Sequence, residues 1–139
     1  MIIHPYYLCA TSLLLVFTLI FFIVNSNKNV AECYLSICLL ATIFFSQLFW
    51  RNPIKNSLIH RIDAIIAKIS FISFILYTIL YKNLNIYLLV SYILIMVGGL
   101  YTFYNSHKYS SQEWCCNNHL IYHGCSHLLC FIGSFCAFL

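Results

Sequence analysis

Charge is what this chain lacks most. Only 7% of its 139 residues are Asp, Glu, Lys or Arg, against 63% hydrophobic residues and a mean hydropathy of +0.89. A soluble domain carries charge on roughly a quarter of its residues. There is too little polar material here to coat a globule, which leaves lipid as the solvent for most of the surface. Also missing are any Cys-x-x-Cys, which weighs against a thioredoxin-type redox motif, any Asn-x-Ser/Thr sequon, and any internal repeat or low-complexity tail. The opening MIIHPYY has no basic segment and no small-residue cleavage site follows it, so the first apolar stretch is expected to be a retained span. The formal net charge of +4 comes from Lys and Arg scattered over short connections. Nucleic acid is therefore not an expected partner, and no signal of oligomeric state is present.

Lipid leaves two backbone solutions, helices or a closed barrel. Barrel strands need only about ten residues and alternate in polarity, whereas the apolar runs here reach about twenty. The expectation is an all-α polytopic membrane protein, a single bundle of about five transmembrane helices with spans near 7–24, 30–50, 62–81, 86–104 and 119–139. Polar stretches separate them, and Pro53 forbids simple helix continuation in the second. The pair Gly98-Gly99 allows close helix contact. The N-terminus and the 51–61 and 105–118 connections share one face, which carries Arg51, Lys55, Arg61 and Lys108, against Lys28 and Lys82 opposite. The positive-inside bias puts the first face in the cytoplasm. Cys9, Cys33, Cys38, Cys130 and Cys136 lie within apolar runs, where a thiol acts as a small hydrophobe. Cys115-Cys116 reads as a pair of ordinary reduced thiols, with redox chemistry or metal binding as the alternative.

Ionisable groups within a span are costly unless paired or solvated, so each one is a functional candidate. Ser46 ends span two, His60 and Asp63 open span three, and His119, His123 and His127 open span five. With five spans, all of these fall in one leaflet. Spacing of i, i+4, i+8 makes the three histidines one slanting stripe. Neighbours on such a stripe can share a metal ion, and three nitrogens with an open position is the arrangement of a catalytic zinc. A nearby carboxylate then takes the proton from the bound water, and a hydroxyl steadies the oxyanion. Structural readings stand beside this one. His119 can be solvated at the interface, and His123 and His127 can bond between helices. Asp63 can sit at the positive end of a helix dipole or pair with Lys68, and Ser46 can bond its own backbone. Lys68 is expected to snorkel to the basic face, and Glu32 lies on the far side of the membrane.

Ser46 in Phe-Phe-Ser-Gln-Leu-Phe-Trp, Asp63 in His-Arg-Ile-Asp-Ala, and His123 with His127 in His-Gly-Cys-Ser-His-Leu-Leu appear in an order that resembles the CREST superfamily of membrane hydrolases. That group includes alkaline ceramidases and the progestin and adipoQ receptors. The resemblance implies a zinc held by three histidines, with the aspartate and serine near its water and a lipid amide or ester as substrate. Where the family has a histidine four residues after the serine, this chain has Trp50, so His60 or else His119 must supply the third ligand. The family core also has seven spans rather than five. Two rival functions remain open: a non-enzymatic structural or scaffold subunit with a polar packing cluster, and a haem protein with axial histidines from two helices.

Overall fold

A computed structural model describes residues 3–139. Its regular structure is helical throughout: α1 (Tyr7–Leu13), α2 (Leu15–Asn25), α3 (Val30–Arg51), α4 (Leu58–Tyr81), α5 (Ile86–Gln112) and α6 (Asn117–Ser134), closed by a 3-10 turn at Phe135–Ala137. Helices α1 and α2 run on as one span with a break at Leu14. Among the described residues, five helices are long and apolar enough to cross a membrane. Their outward faces are greasy, with Phe17, Ile37, Ile65, Leu94 and Tyr101 all exposed. This is a multi-pass membrane bundle.

Helix starts follow from the polar connections. Asn29, Ser57 and Asn85 each accept a hydrogen bond from the backbone N–H three residues on, satisfying an orphan donor of the first turn. Ser57 thereby starts α4 at Leu58, one turn earlier than hydropathy alone implies. Helix α5 runs on to Gln112, eight residues past the apolar run. Nothing between 105 and 112 breaks a helix, and Asn105, Ser110 and Ser111 turn their side chains back onto carbonyls of the preceding turn.

Helices α3 and α4 pack together, as do α5 and α6, and α1 touches both α3 and α6. The core divides into two clusters. Leu15, Leu35, Leu39, Phe74, Ala137 and Phe138 fill one end, and Leu8, Cys9, Phe49, Trp50 and Leu120 fill the other. Helix interfaces also carry hydroxyl pairs, Thr42 with Ser70 and Thr18 with Ser134, both at 2.8 Å. At the first end Glu32, fully buried, pairs with Lys82 at 2.8 Å and accepts from Ser26 (2.6 Å) and Tyr77 (2.9 Å). Among the described residues this is the one ion pair, so Asp63 is not paired with Lys68, which is exposed.

Candidate functional site

The second end gathers the polar residues. Close pairs set the register of the antiparallel helices α3 and α4: Glu32 with Tyr77 at 2.9 Å, Thr42 with Ser70 at 2.8 Å, and the rings of Phe49 and His60 stacked at 4.7 Å. In that register Ser46 falls opposite Asp63, one turn deeper than Trp50 and His60. Both are buried, Ser46 at 2% and Asp63 at 8% exposure. The Ser46 hydroxyl has no hydrogen-bond partner, and no hydrogen bond or ion pair reaches the Asp63 carboxyl from any described residue. A buried polar group without a partner is expensive; Ser46 Oγ and Trp50 Nε1 are two such atoms at this end, and the Thr78 and Tyr92 hydroxyls are two more at the other.

Helix α6 brings its histidines to the same end. The ring of His123 lies 4.8 Å from both Trp50 and His127, and His119 lies 6.0 Å from Trp50. His127 Nδ1 is 2.8 Å from the Thr11 hydroxyl on α1, and His123 Nδ1 is 3.1 Å from Ser106 on α5. These bonds tie α6 to a helix on either side. Gln47 completes the lattice, its amide donating to Cys9 O and Ser12 Oγ.

His60 and His119 are engaged differently. Each is the third residue of its helix. His60 N donates to the Ser57 hydroxyl while His60 Nδ1 accepts from Asn56 N–H at 3.0 Å. His119 N donates to Cys116 Sγ while His119 Nδ1 accepts from Cys115 N–H at 3.2 Å. The residue before each cap is left-handed, with φ 62° at Asn56 and 60° at Cys115. Two helix starts thus use one device, a reciprocal cap in which an imidazole stands where Glu or Gln usually stands. Burial pushes the Cys115 thiol up from its ordinary range, and the neighbouring Cys116 adds to this; all eight cysteines are unpaired.

These bonds bear directly on zinc. A metal-bound imidazole typically coordinates through one nitrogen and donates an N–H from the other. A backbone N–H can only donate, so His60 and His119 hold their Nδ1 lone pairs toward the caps, and a neutral ring then carries its proton on Nε2. Neither offers a metal its second lone pair without giving up the cap. The Ser106 hydroxyl leaves His123 free to adopt either tautomer, whereas the Thr11 hydroxyl, which donates to Leu8 O at 3.1 Å, accepts from His127 Nδ1. Among the described residues, no group of three or more His, Cys, Asp or Glu side chains is arranged to hold a metal ion. As arranged, the residues do not fit a three-histidine zinc. The same lone-pair argument applies to axial haem ligation by His60 with His119, both of which also pack on Trp114, at 5.2 and 5.0 Å. No protein family, curated protein or solved structure matches the chain.

Residue chemistry alone pointed to Ser46, Asp63 and the histidines but passed over Thr11, Gln47 and Ser106, whose hydroxyls and amide hold that end together. Counting inward from helix ends places all three at the depth of the histidine stripe, a signal available in the sequence. Trp50 is buried to 1% exposure with an indole N–H that bonds to no described residue.

Proposed function

We propose that this chain is a membrane-embedded lipid hydrolase of the kind that Ser46, Asp63, His123 and His127 resemble, acting on an amide or ester bond within one leaflet. The observation that supports it is the burial of Ser46 and Asp63 at one level of the packed helices α3 and α4, with the Ser46 hydroxyl bonded to no described residue. A carboxylate removed from bulk water is a competent base for a substrate water. A free hydroxyl one helix away is suited to donate to the carbonyl oxygen as negative charge develops there. Zinc plays no step in this reading. The site's end carries Arg51, Lys55, Arg61 and Lys108, so in this reading it faces the cytoplasm.

The test is turnover of lipid amides and esters by the purified protein in detergent. Asp63→Asn removes the base and is expected to abolish turnover. Ser46→Ala is expected to lower it by about 100-fold, the usual scale for one oxyanion donor. No hydrolysis of any lipid amide or ester by a folded preparation would sink the proposal. A zinc that copurifies at about one per chain and is lost in His123→Ala would instead favour metal chemistry, with His60 or His119 released from its cap.

A second reading is favoured by a different observation. His123 and His127 already bond to hydroxyls on two other helices, as a structural packing cluster requires. On that reading the chain is a scaffold subunit without turnover. His123→Ala and His127→Ala then lower thermal stability by about 0.6–1.7 kcal/mol each, the range of interhelical hydrogen bonds in membranes.

A further inference from the structure

The outermost layer of the polar end is built of Trp50, His60, Trp114 and His119 with Phe49 packed among them, and its polar chemistry is one-sided. Trp50 and Trp114 stack at 6.5 Å with 11° between planes. His60 and His119 pack against Trp114 at 5.2 and 5.0 Å. Trp114 Nε1 donates to Pro53 O at 2.9 Å and is satisfied. Trp50 Nε1 is fully buried and bonded to no described residue. His60 and His119 spend their acceptor nitrogens on backbone N–H groups, and their Nε2 atoms bond to no described residue. Three ring N–H donors therefore lie in this layer, and its ring acceptors are used up.

Charge adds to this. Lys55 Nζ sits 5.6 Å from the centroid of Trp114 while donating to Ser110 O. Arg51 follows Trp50 directly, and the acids nearby are Glu113, beside Trp114, and Asp63, one turn deeper than His60. An open groove of about 720 Å³ at the α5–α6 connection is lined by Glu113, Cys115 and Asn118 among others, and by none of the four rings themselves. A cation gains nothing from three N–H donors. A polydentate oxyanion does, because it only accepts and each bond to it is charge-assisted.

We propose that the layer of Trp50, His60, Trp114 and His119 is a donor-lined site for a phosphate group, carried by a lipid headgroup or free. It rests on reading this end of the bundle as the lipid-handling end. A basic pocket between helices at headgroup depth is where lipid phosphates are recognised.

The chain's two tryptophans both lie in this layer, so its tryptophan emission reports on the site alone. Purified protein in maltoside detergent, which contains no phosphate, is titrated separately with phosphatidic acid, diacylglycerol and inorganic phosphate. A saturable emission change with phosphatidic acid and not with the other two assigns the lipid. A change with inorganic phosphate assigns the free anion. Either supports the donor site. No response to either phosphate, or an equal response to diacylglycerol, overturns it and leaves ordered water as the partner of Trp50.

Variants add a second arm. His119→Gln keeps both a cap acceptor and a donor and is expected to retain more of the binding than His119→Glu. His119→Glu keeps the cap but offers no donor when ionised, and is expected to weaken binding about tenfold or more, as is Trp50→Phe, read through Trp114. Equal affinity in Trp50→Phe and the unmodified chain contradicts the proposal even if His119→Glu fails to fold. Turnover measured on the same preparation keeps the two readings apart. Hydrolysis without a phosphate response removes this inference alone, and a phosphate response without hydrolysis removes the hydrolase alone.

Discussion

Gly124 is the residue whose side chain could least be added. Tyr7 lays its hydroxyl against the backbone of α6 there, donating to Leu120 O at 2.8 Å, and a Cβ on Gly124 would collide with that hydroxyl and the ring carbon bearing it. Gly124→Ala must displace a semi-rigid ring and break its hydrogen bond, so a loss of about 1–3 kcal/mol is expected in thermal unfolding in detergent. Gly133→Ala meets the tip of Met96, a flexible thioether that can swing away, and is expected to stay close to the unmodified chain. The Gly98-Gly99 pair, the expected point of close helix contact, turns out ordinary. A Cβ on Gly98 would lie 3.4 Å from Leu129, and one on Gly99 3.7 Å from Phe71. Two adjacent glycines are visible in a sequence, whereas a tyrosine from another helix lying over a lone one is not.

At the scale of elements, α4 and α6 begin alike, with a left-handed residue, a cap, and a histidine bonding back to the left-handed residue's N–H. His60→Gln retains an acceptor and should preserve the start of α4, whereas His60→Ala should cost about 1 kcal/mol in thermal unfolding, as for other lost caps. The left-handed residues differ. Asn tolerates that conformation better than most residues and Cys does not. Cys115→Gly is therefore expected to raise stability by up to about 1 kcal/mol, and Asn56→Gly to leave it nearly unchanged. The candidate site was legible here only in part. Ser46, Asp63 and the histidine stripe stand out because polar groups in apolar runs are conspicuous. The caps do not, because Ser57-x-x-His60 and Cys116-x-x-His119 lack the Glu or Gln that normally marks a capping box. The need for them arises from backbone angles that no residue type announces.

Over the whole molecule, the five spans were legible because a lipid-facing helix must be apolar for about twenty residues. Their ends were less so, because the polar tail of α5 continues as helix where nothing stops it. Glu32 shows the same limit. Its lone position opposite the histidine end was plain, but its partners come from two segments distant in the chain: Ser26 after α2, and Tyr77 with Lys82 at the end of α4. Together they form a closed polar knot, further tied by Asn29, which caps α3 at Glu32 N and donates to Tyr77. The bundle is thus pinned at one end by an ion pair, near which the Thr78 and Tyr92 hydroxyls lie buried with no partner among the described residues, while at the other end Ser46 Oγ and Trp50 Nε1 are likewise unpartnered. An ion pair largely out of water, here a fully buried Glu32 with a Lys82 side chain that is 12% exposed, stabilises little in itself, but removing one partner strands the other. Glu32→Ala leaves the Lys82 ammonium facing Tyr77 and Ser26 alone and should destabilise by about 3–5 kcal/mol in detergent unfolding. Adding Lys82→Met to Glu32→Ala should recover most of that loss, because no uncompensated charge remains. If the double variant were as unstable as Glu32→Ala alone, the knot would act through the neutral hydrogen bonds of Ser26 and Tyr77, and the charge pair would be incidental to holding this end closed.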